Sequence, residues 1–174
     1  MTALASPSRG TSLWQRWRFH LSALLLIVPL VFLPTYFRDI AFFDGKQGLG
    51  EREIGEIAVG PWSVRLAEFK LAEPDAEGRA GYAKEFALAL CPACVDQVKA
   101  AYLRVGKPRN IRTMGALFSG TPYRQIAEMR VPERTTADDE LWLTLEGWDG
   151  TLHEARIPIR TASPVMAAWL DRRR

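Results

Sequence analysis

Apolar residues first gather in one unbroken run. Leu21 to Phe37 contains no charged side chain. As a helix rising about 1.5 Å per residue it spans roughly 26 Å, close to the hydrocarbon thickness of a bilayer. Trp14 and Trp17 stand before it, and Tyr36, Phe37, Phe42 and Phe43 stand at its other edge. Aromatic side chains favour both membrane interfaces, so the run is bracketed. The pattern predicts a polar tail over residues 1–18 and a transmembrane helix over 19–37, with Pro29 and Pro34 placed to kink it. A buried core helix is the competing reading, but so long an uncharged run is hard to house in a small soluble domain. The run carries no ionisable group of the kind that marks ion or proton paths.

After it the period changes. Residues 38–52, including Asp44-Gly-Lys-Gln-Gly-Leu-Gly-Glu-Arg, read as a linker. Residues 53–174 show short alternating stretches broken by Gly and Pro. Ile54 to Val59 is a strand stopped by Gly60-Pro61. Trp62, Val64 and Leu66 alternate, and Ala67, Phe69 and Leu71 continue on the opposite parity, which predicts a bulge near Leu66–Ala67. In Tyr82 to Leu90, Phe86, Leu88 and Leu90 share one face and Ala87 and Ala89 the other, so both sides can be covered. Residues 95–105 fit strand and helix spacing equally. Shorter strands are expected at Met114–Phe118 and Ile126–Val131.

The best-defined element is a hairpin from Leu141 to Ile159. A two-residue Asp149-Gly150 turn would set its leucines against Glu154 and Arg156. A three-residue Trp148-Asp149-Gly150 loop instead sets Leu143 opposite Ala155 and Leu141 opposite Ile157, with Gly150 in the left-handed conformation. It also puts His153 opposite Leu145. Ser163-Pro164 then predicts a helix start, with Val165, Ala168 and Trp169 as its apolar stripe and Arg172 to Arg174 complementing its C-terminus. Many short punctuated strands imply a mainly β protein. The expected architecture is an immunoglobulin-like β-sandwich outside the membrane, anchored by one N-terminal transmembrane helix and closed by a short C-terminal helix.

Charge sets the expected orientation. The tail holds Arg9, Arg16 and Arg18 and no acid, whereas Arg38 to Glu53 mixes three bases with four acids. The positive-inside rule puts the N-terminus in the cytoplasm and the rest outside. Leu33-Pro-Thr-Tyr-Phe-Arg-Asp lacks the small residues of a cleavage site, so an uncleaved signal anchor is favoured. Of 23 Lys and Arg and 20 Asp and Glu, removing the tail arginines and the Arg38–Asp39 pair leaves 19 of each sign beyond residue 43. The pI near 9.1 therefore reports the tail and predicts no nucleic-acid face.

The two cysteines stand at Cys91-Pro92-Ala93-Cys94. Three readings are open. In an oxidising compartment the pair forms a disulfide. A strand–turn–helix context would make it a thiol–disulfide oxidoreductase, with Thr121-Pro122 as a facing proline loop. Two thiolates with His153 or Met114 would suit copper, zinc or iron. Asp138-Asp139-Glu140 reads as a solvated turn. Trp142 is a core or contact residue, and an exposed Trp148 at the hairpin tip would favour a partner interface. No His-Glu-x-x-His, phosphate-cradling glycine loop or Gly-x-Ser-x-Gly is present.

The layout of short tail, single span, Cys-x-x-Cys strand, Gly115-Ala-Leu-Phe-Ser-Gly-Thr-Pro-Tyr123 and Leu141-Trp-Leu-Thr-Leu-Glu-Gly-Trp-Asp-Gly150 resembles small inner-membrane accessory proteins. These accompany PepSY-type ferric-siderophore reductases, as in pyoverdine iron release. In architecture it also resembles the anchored sandwich proteins that assist copper loading of haem-copper oxidases. The first resemblance implies a bacterial inner-membrane location and reductase or transporter subunits as partners. It also implies work on iron rather than catalysis by this chain.

Overall fold

The computed structural model describes residues 9–173; residues 1–8 of the polar tail and Arg174 lie outside them. The chain divides after Ile40 into two units. The first is most of α1 (Arg9–Phe43), which contains Pro29 and Pro34. Its stretch His20–Phe43 is long and apolar enough to cross a membrane, and none of the most apolar window is buried by protein. The helix thus continues past residue 37, into the expected linker.

Among the described residues the second unit holds ten strands. They are β1 (Arg52–Val59), β2 (Trp62–Glu68), β3 (Asp75–Ala76), β4 (Tyr82–Leu90), β5 (Val98–Val105), β6 (Ala116–Leu117), β7 (Ser119–Thr121), β8 (Arg124–Val131), β9 (Glu140–Gly147) and β10 (Leu152–Pro158). Two helices, α2 (Ile159–Ala162) and α3 (Pro164–Arg172), follow. One sheet has the order β1-β2-β4-β8-β7, with β3 on β4, and the other β10-β9-β5-β6. Every pairing is antiparallel. Leu66, Phe86, Leu88 and Met129 of the first sheet and Leu103, Leu141, Leu143 and Leu145 of the second meet in one hydrophobic core.

The hairpin follows the three-residue loop. His153 lies opposite Leu145, Ala155 opposite Leu143 and Ile157 opposite Leu141. Gly150 has φ of 81°, where a side chain would be strained. Ser163 caps α3, accepting from the Met166 amide at 3.2 Å. The buried face of α3 is Met166, Ala167, Trp169 and Leu170, one residue around from the expected stripe, and Ala168 is exposed.

Two expectations are corrected. No bulge interrupts β2 at Leu66–Ala67: Val64 to Glu68 pair in regular register with Leu90 to Phe86. The irregularity sits in β1, between Glu53 and Gly55. The second half of β2 is apolar on both faces because both are covered. Ala67, Ala87 and Ala89 turn away from the main core and pack under Leu49.

Leu49 explains the other correction. Residues 44–52 are no free linker. Leu49 is wholly buried. A Cβ on Gly50 would stand 2.1 Å from the Glu68 carbonyl oxygen, so only glycine lets the chain lie this close. The Glu51 amide donates to Phe69 O at 3.3 Å. Arg124 donates to Gly48 O at 2.8 Å and Phe42 O at 3.3 Å, its guanidinium 3.6 Å from the Phe42 ring centre. The segment is a strap across the outer face of the first sheet.

Candidate functional site

The cysteine turn is built outward from β4. Phe86, Leu88 and Leu90 anchor that strand in the core, which holds its end in place. The Leu90 amide donates to Pro122 O at 2.9 Å and the Cys91 amide to Ser63 O at 3.1 Å. Pro92, whose fixed φ suits a first helical position, opens a single 3-10 turn, Pro92–Cys94. It closes when the Cys94 amide donates to Cys91 O at 3.0 Å. Cys91 and Cys94 form a disulfide with their Cα atoms 5.3 Å apart. Cys94 is buried in the core and Cys91 half-buried.

Residues 98–105 then run as strand β5, paired with β9. The ambiguity of 95–105 is resolved against a helix. No helix N-terminus faces Cys91 to acidify its thiol, so the physical basis of the oxidoreductase reading is missing. Thr121-Pro122 does lie beside the turn, through Pro122 O.

Gln97 joins the turn to both neighbouring hairpins. Its amide donates to Cys94 O at 3.0 Å, and its carbonyl accepts from the Trp148 amide at 3.1 Å. Its side-chain oxygen accepts from Trp62 Nε1 at 2.9 Å. The His153 ring meets Trp62 edge-on, centroids 5.1 Å apart. Gly60 leaves room for it: a Cβ there would stand 2.3 Å from His153 Nδ1. At the hairpin tip Asp149 accepts from the Thr151 amide at 3.0 Å and its hydroxyl at 2.7 Å. Those bonds hold the Asp149 carboxyl below its ordinary pKa. Trp148 itself is 69% exposed.

The proposed metal set is not assembled. Met114 is buried beside Gly115, next to the β6 residues that pair with Tyr102 and Leu103. It lies toward the far end of β5 from the cysteines, roughly 20 Å away at about 3.3 Å per residue. His153 is at the cysteine end, but its ring is engaged with Trp62. Among the described residues no group of three or more His, Cys, Asp or Glu side chains is arranged to hold a metal. Asp138 and Asp139 lie in the turn before β9, where Asp139 accepts from the Thr136 amide, and Asp138 and the first β9 residue, Glu140, pair with Arg160 and Arg156. Trp142 is half-buried, with Lys107 Nζ 5.3 Å from its ring centre.

Residue types at strand ends give little sign of Gln97 and Arg124, and alternation marks Trp62 only as a strand residue facing the core. Arg124 is 5% exposed, burial lowers its pKa, and among the described residues no carboxylate comes within ion-pair distance of it. Two carbonyls and the Phe42 ring hold its charge.

These features define a class: a mainly β domain of two antiparallel sheets, with a cystine turn at one end and a preceding helix apolar enough to cross a membrane. The chain belongs to the family described as uncharacterised conserved protein UCP029505, whose model matches residues 13–160. The match takes in every strand and the cysteine turn and ends before α3. No curated protein and no solved structure matches the chain.

Proposed function

We propose that this protein is a single-pass membrane protein of the bacterial inner membrane, N-terminus in the cytoplasm. Its immunoglobulin-like sandwich stands in the periplasm and acts as an accessory subunit of a metal-handling complex. It works by contact with neighbours in the same membrane, not by turning over a substrate. The observation that carries the reading is the strap. Residues 42–51 are bonded and packed onto the first sheet, which leaves few residues of free chain between the apolar run and the domain. A domain held this way reaches partners in its own membrane and little else.

Other features support it. The orders β2-β4-β8-β7 and β10-β9-β5 correspond to the ABED and GFC sheets of immunoglobulin-like sandwiches, with β1 added at one edge. A closed disulfide suits an oxidising compartment. The three tail arginines favour a cytoplasmic N-terminus. Assignment to siderophore-iron release, with a reductase or transporter subunit as partner, rests on the sequence layout. Iron or copper would then be cargo of the complex; as ligands, Cys91 and Cys94 would first have to be reduced to thiolates.

Fractionation with protease protection tests the anchoring: the chain should sediment with membranes, its C-terminal unit cut only from the periplasmic side. In-membrane cross-linking followed by identification of the captured neighbour tests the accessory role. Unchanged metal-linked uptake in a deletion strain would sink the iron assignment.

A further inference from the structure

A run of hydrogen bonds crosses one end of the domain. Phe43 O accepts from Thr121 Oγ1 at 2.5 Å, and Pro122 O accepts from the Leu90 amide at 2.9 Å. Cys91 O and Cys94 O accept in turn from the Cys94 and Gln97 amides, and Gln97 O accepts from the Trp148 amide. The place where the chain enters the domain, the β7–β8 turn, the cystine turn and the β9–β10 hairpin tip therefore share one end. The Gly60-Pro61 turn joins them, because β2 meets β4 at Val64 and Leu90.

That end exposes aromatic residues. Trp148 is 69% exposed, Tyr123 50% and Phe43 44%. Pro61, Pro92 and Ala93 are also exposed there. The other turns, near residues 69–81, 106–115 and 132–139, lie at the opposite end and show no exposed tryptophan or tyrosine.

Chain length then limits the distance to the bilayer. Phe43 is six residues past Phe37, the last of the uncharged run. Whatever the joint does, six residues span at most about 20 Å, and in helical form about 9 Å. The headgroup layer is itself roughly 5–8 Å deep. Tryptophan and tyrosine are the side chains that settle there, apolar body toward the acyl chains and polar tip toward water.

We infer that the disulfide-turn end of the domain rests on the lipid surface, with Trp148 and Tyr123 inserted as interfacial anchors. This inference rests on the membrane-anchored reading above. It assigns Trp148 to lipid instead of a protein partner, and gives the cystine a role: a rigid turn joining two anchoring loops.

The test uses the full chain in nanodiscs of phosphatidylethanolamine and phosphatidylglycerol, some carrying bromine near the headgroup end of the acyl chains. Subtracting the emission of Trp148→Phe from that of the parent isolates Trp148, and near-UV circular dichroism checks that the variant is folded. Brominated lipid should lower the Trp148 emission at least about two-fold, as expected for an interfacial indole, while aqueous iodide has little effect. Quenching by iodide with none by brominated lipid would overturn the inference. So would protection from both quenchers that appears only in native membranes, which would seat a protein partner on Trp148. Trp14 and Trp17, isolated the same way, separate the two readings. If they too escape brominated lipid, the anchoring itself is wrong; if they alone are quenched, only the placement of this end fails.

Discussion

The Ser163 hydroxyl ties two distant parts of the domain together. It donates to the buried carboxylate of Glu68, 95 positions earlier, while accepting from the Met166 amide as the cap of α3. Glu68 also meets Arg52 at 3.1 Å and Lys84 at 3.4 Å, and Lys84 is 4% exposed. Arg52 in turn donates to the carbonyls of Thr161 and Ala162. Replacing Ser163 by Ala removes a cap and one acceptor's partner together. The expected loss is about 1–3 kcal/mol. Glu68→Ala leaves Lys84 buried without its acid and should cost more, about 3–5 kcal/mol. Thermal unfolding of the detergent-solubilised chain gives both values; equal, small effects would contradict this account of the cluster.

Leu49→Ala tests the strap. The side chain is fully buried over Ala67, Ala87 and Ala89, and truncation should destabilise the domain by about 2–4 kcal/mol. Gly50→Ala drives a methyl group into the Glu68 carbonyl and should free the same segment. In limited proteolysis both variants should gain a fast cut within residues 44–51. An unchanged digestion pattern would mean the segment is a simple linker.

The disulfide closes a very small loop, so its entropic contribution is limited to about 2 kcal/mol or less. Cys91→Ser with Cys94→Ser should therefore lower the melting temperature modestly and leave a folded protein. Thiol titration of the denatured parent should find no free thiol until a reductant is added. Two titratable thiols in protein isolated without reductant would reopen the ligand and redox readings.

Two carboxylates make opposite contributions to the pH profile. A hydrogen bond from Lys99, with help from Tyr102, holds the Glu146 pKa low. Its folded value lies below its unfolded one, so Glu146 stabilises the fold above the unfolded value of about 4.3. That contribution is lost as pH falls through the folded value. Glu128 behaves in reverse. A hydrogen bond with Glu77, which needs a shared proton, raises its pKa, and Glu85 and Asp75 add repulsion. The folded state then binds the proton more tightly, so stability falls as pH rises from the unfolded value through the raised one. Glu128→Gln should raise the melting temperature at neutral pH and have no such effect near pH 4. A gain of the same size at both pH values would rule this pairing out.

The elements that could be read in the sequence are those whose determinants are neighbours in the chain. The apolar span needs only consecutive residues. The hairpin register follows from period-two alternation and a glycine at the left-handed position, and it is met pair by pair from Leu141–Ile157 to Leu145–His153. Ser163 is a cap because the next three residues are helical. Alternation on both faces of β4 announced that each would be covered, without saying by what.

Everything that joins distant residues was settled in three dimensions. Residues 98–105 fit two periods, and only pairing with β9 makes them a strand; with that, the helix needed to activate Cys91 disappears. Asp44 to Arg52 has the composition of a linker, yet three small side chains on the first sheet leave a groove into which Leu49 fits. Met114 and the cysteines lie within one stretch of sequence and at opposite ends of β5. Sequence alone thus determined the long apolar helix, the β-rich class and the local turns, since these depend on backbone preference and periodicity. The company of Cys91, the strap and the Ser163–Glu68 bond required tertiary structure, because burial and hydrogen-bond satisfaction depend on which segments the packed sheets bring together.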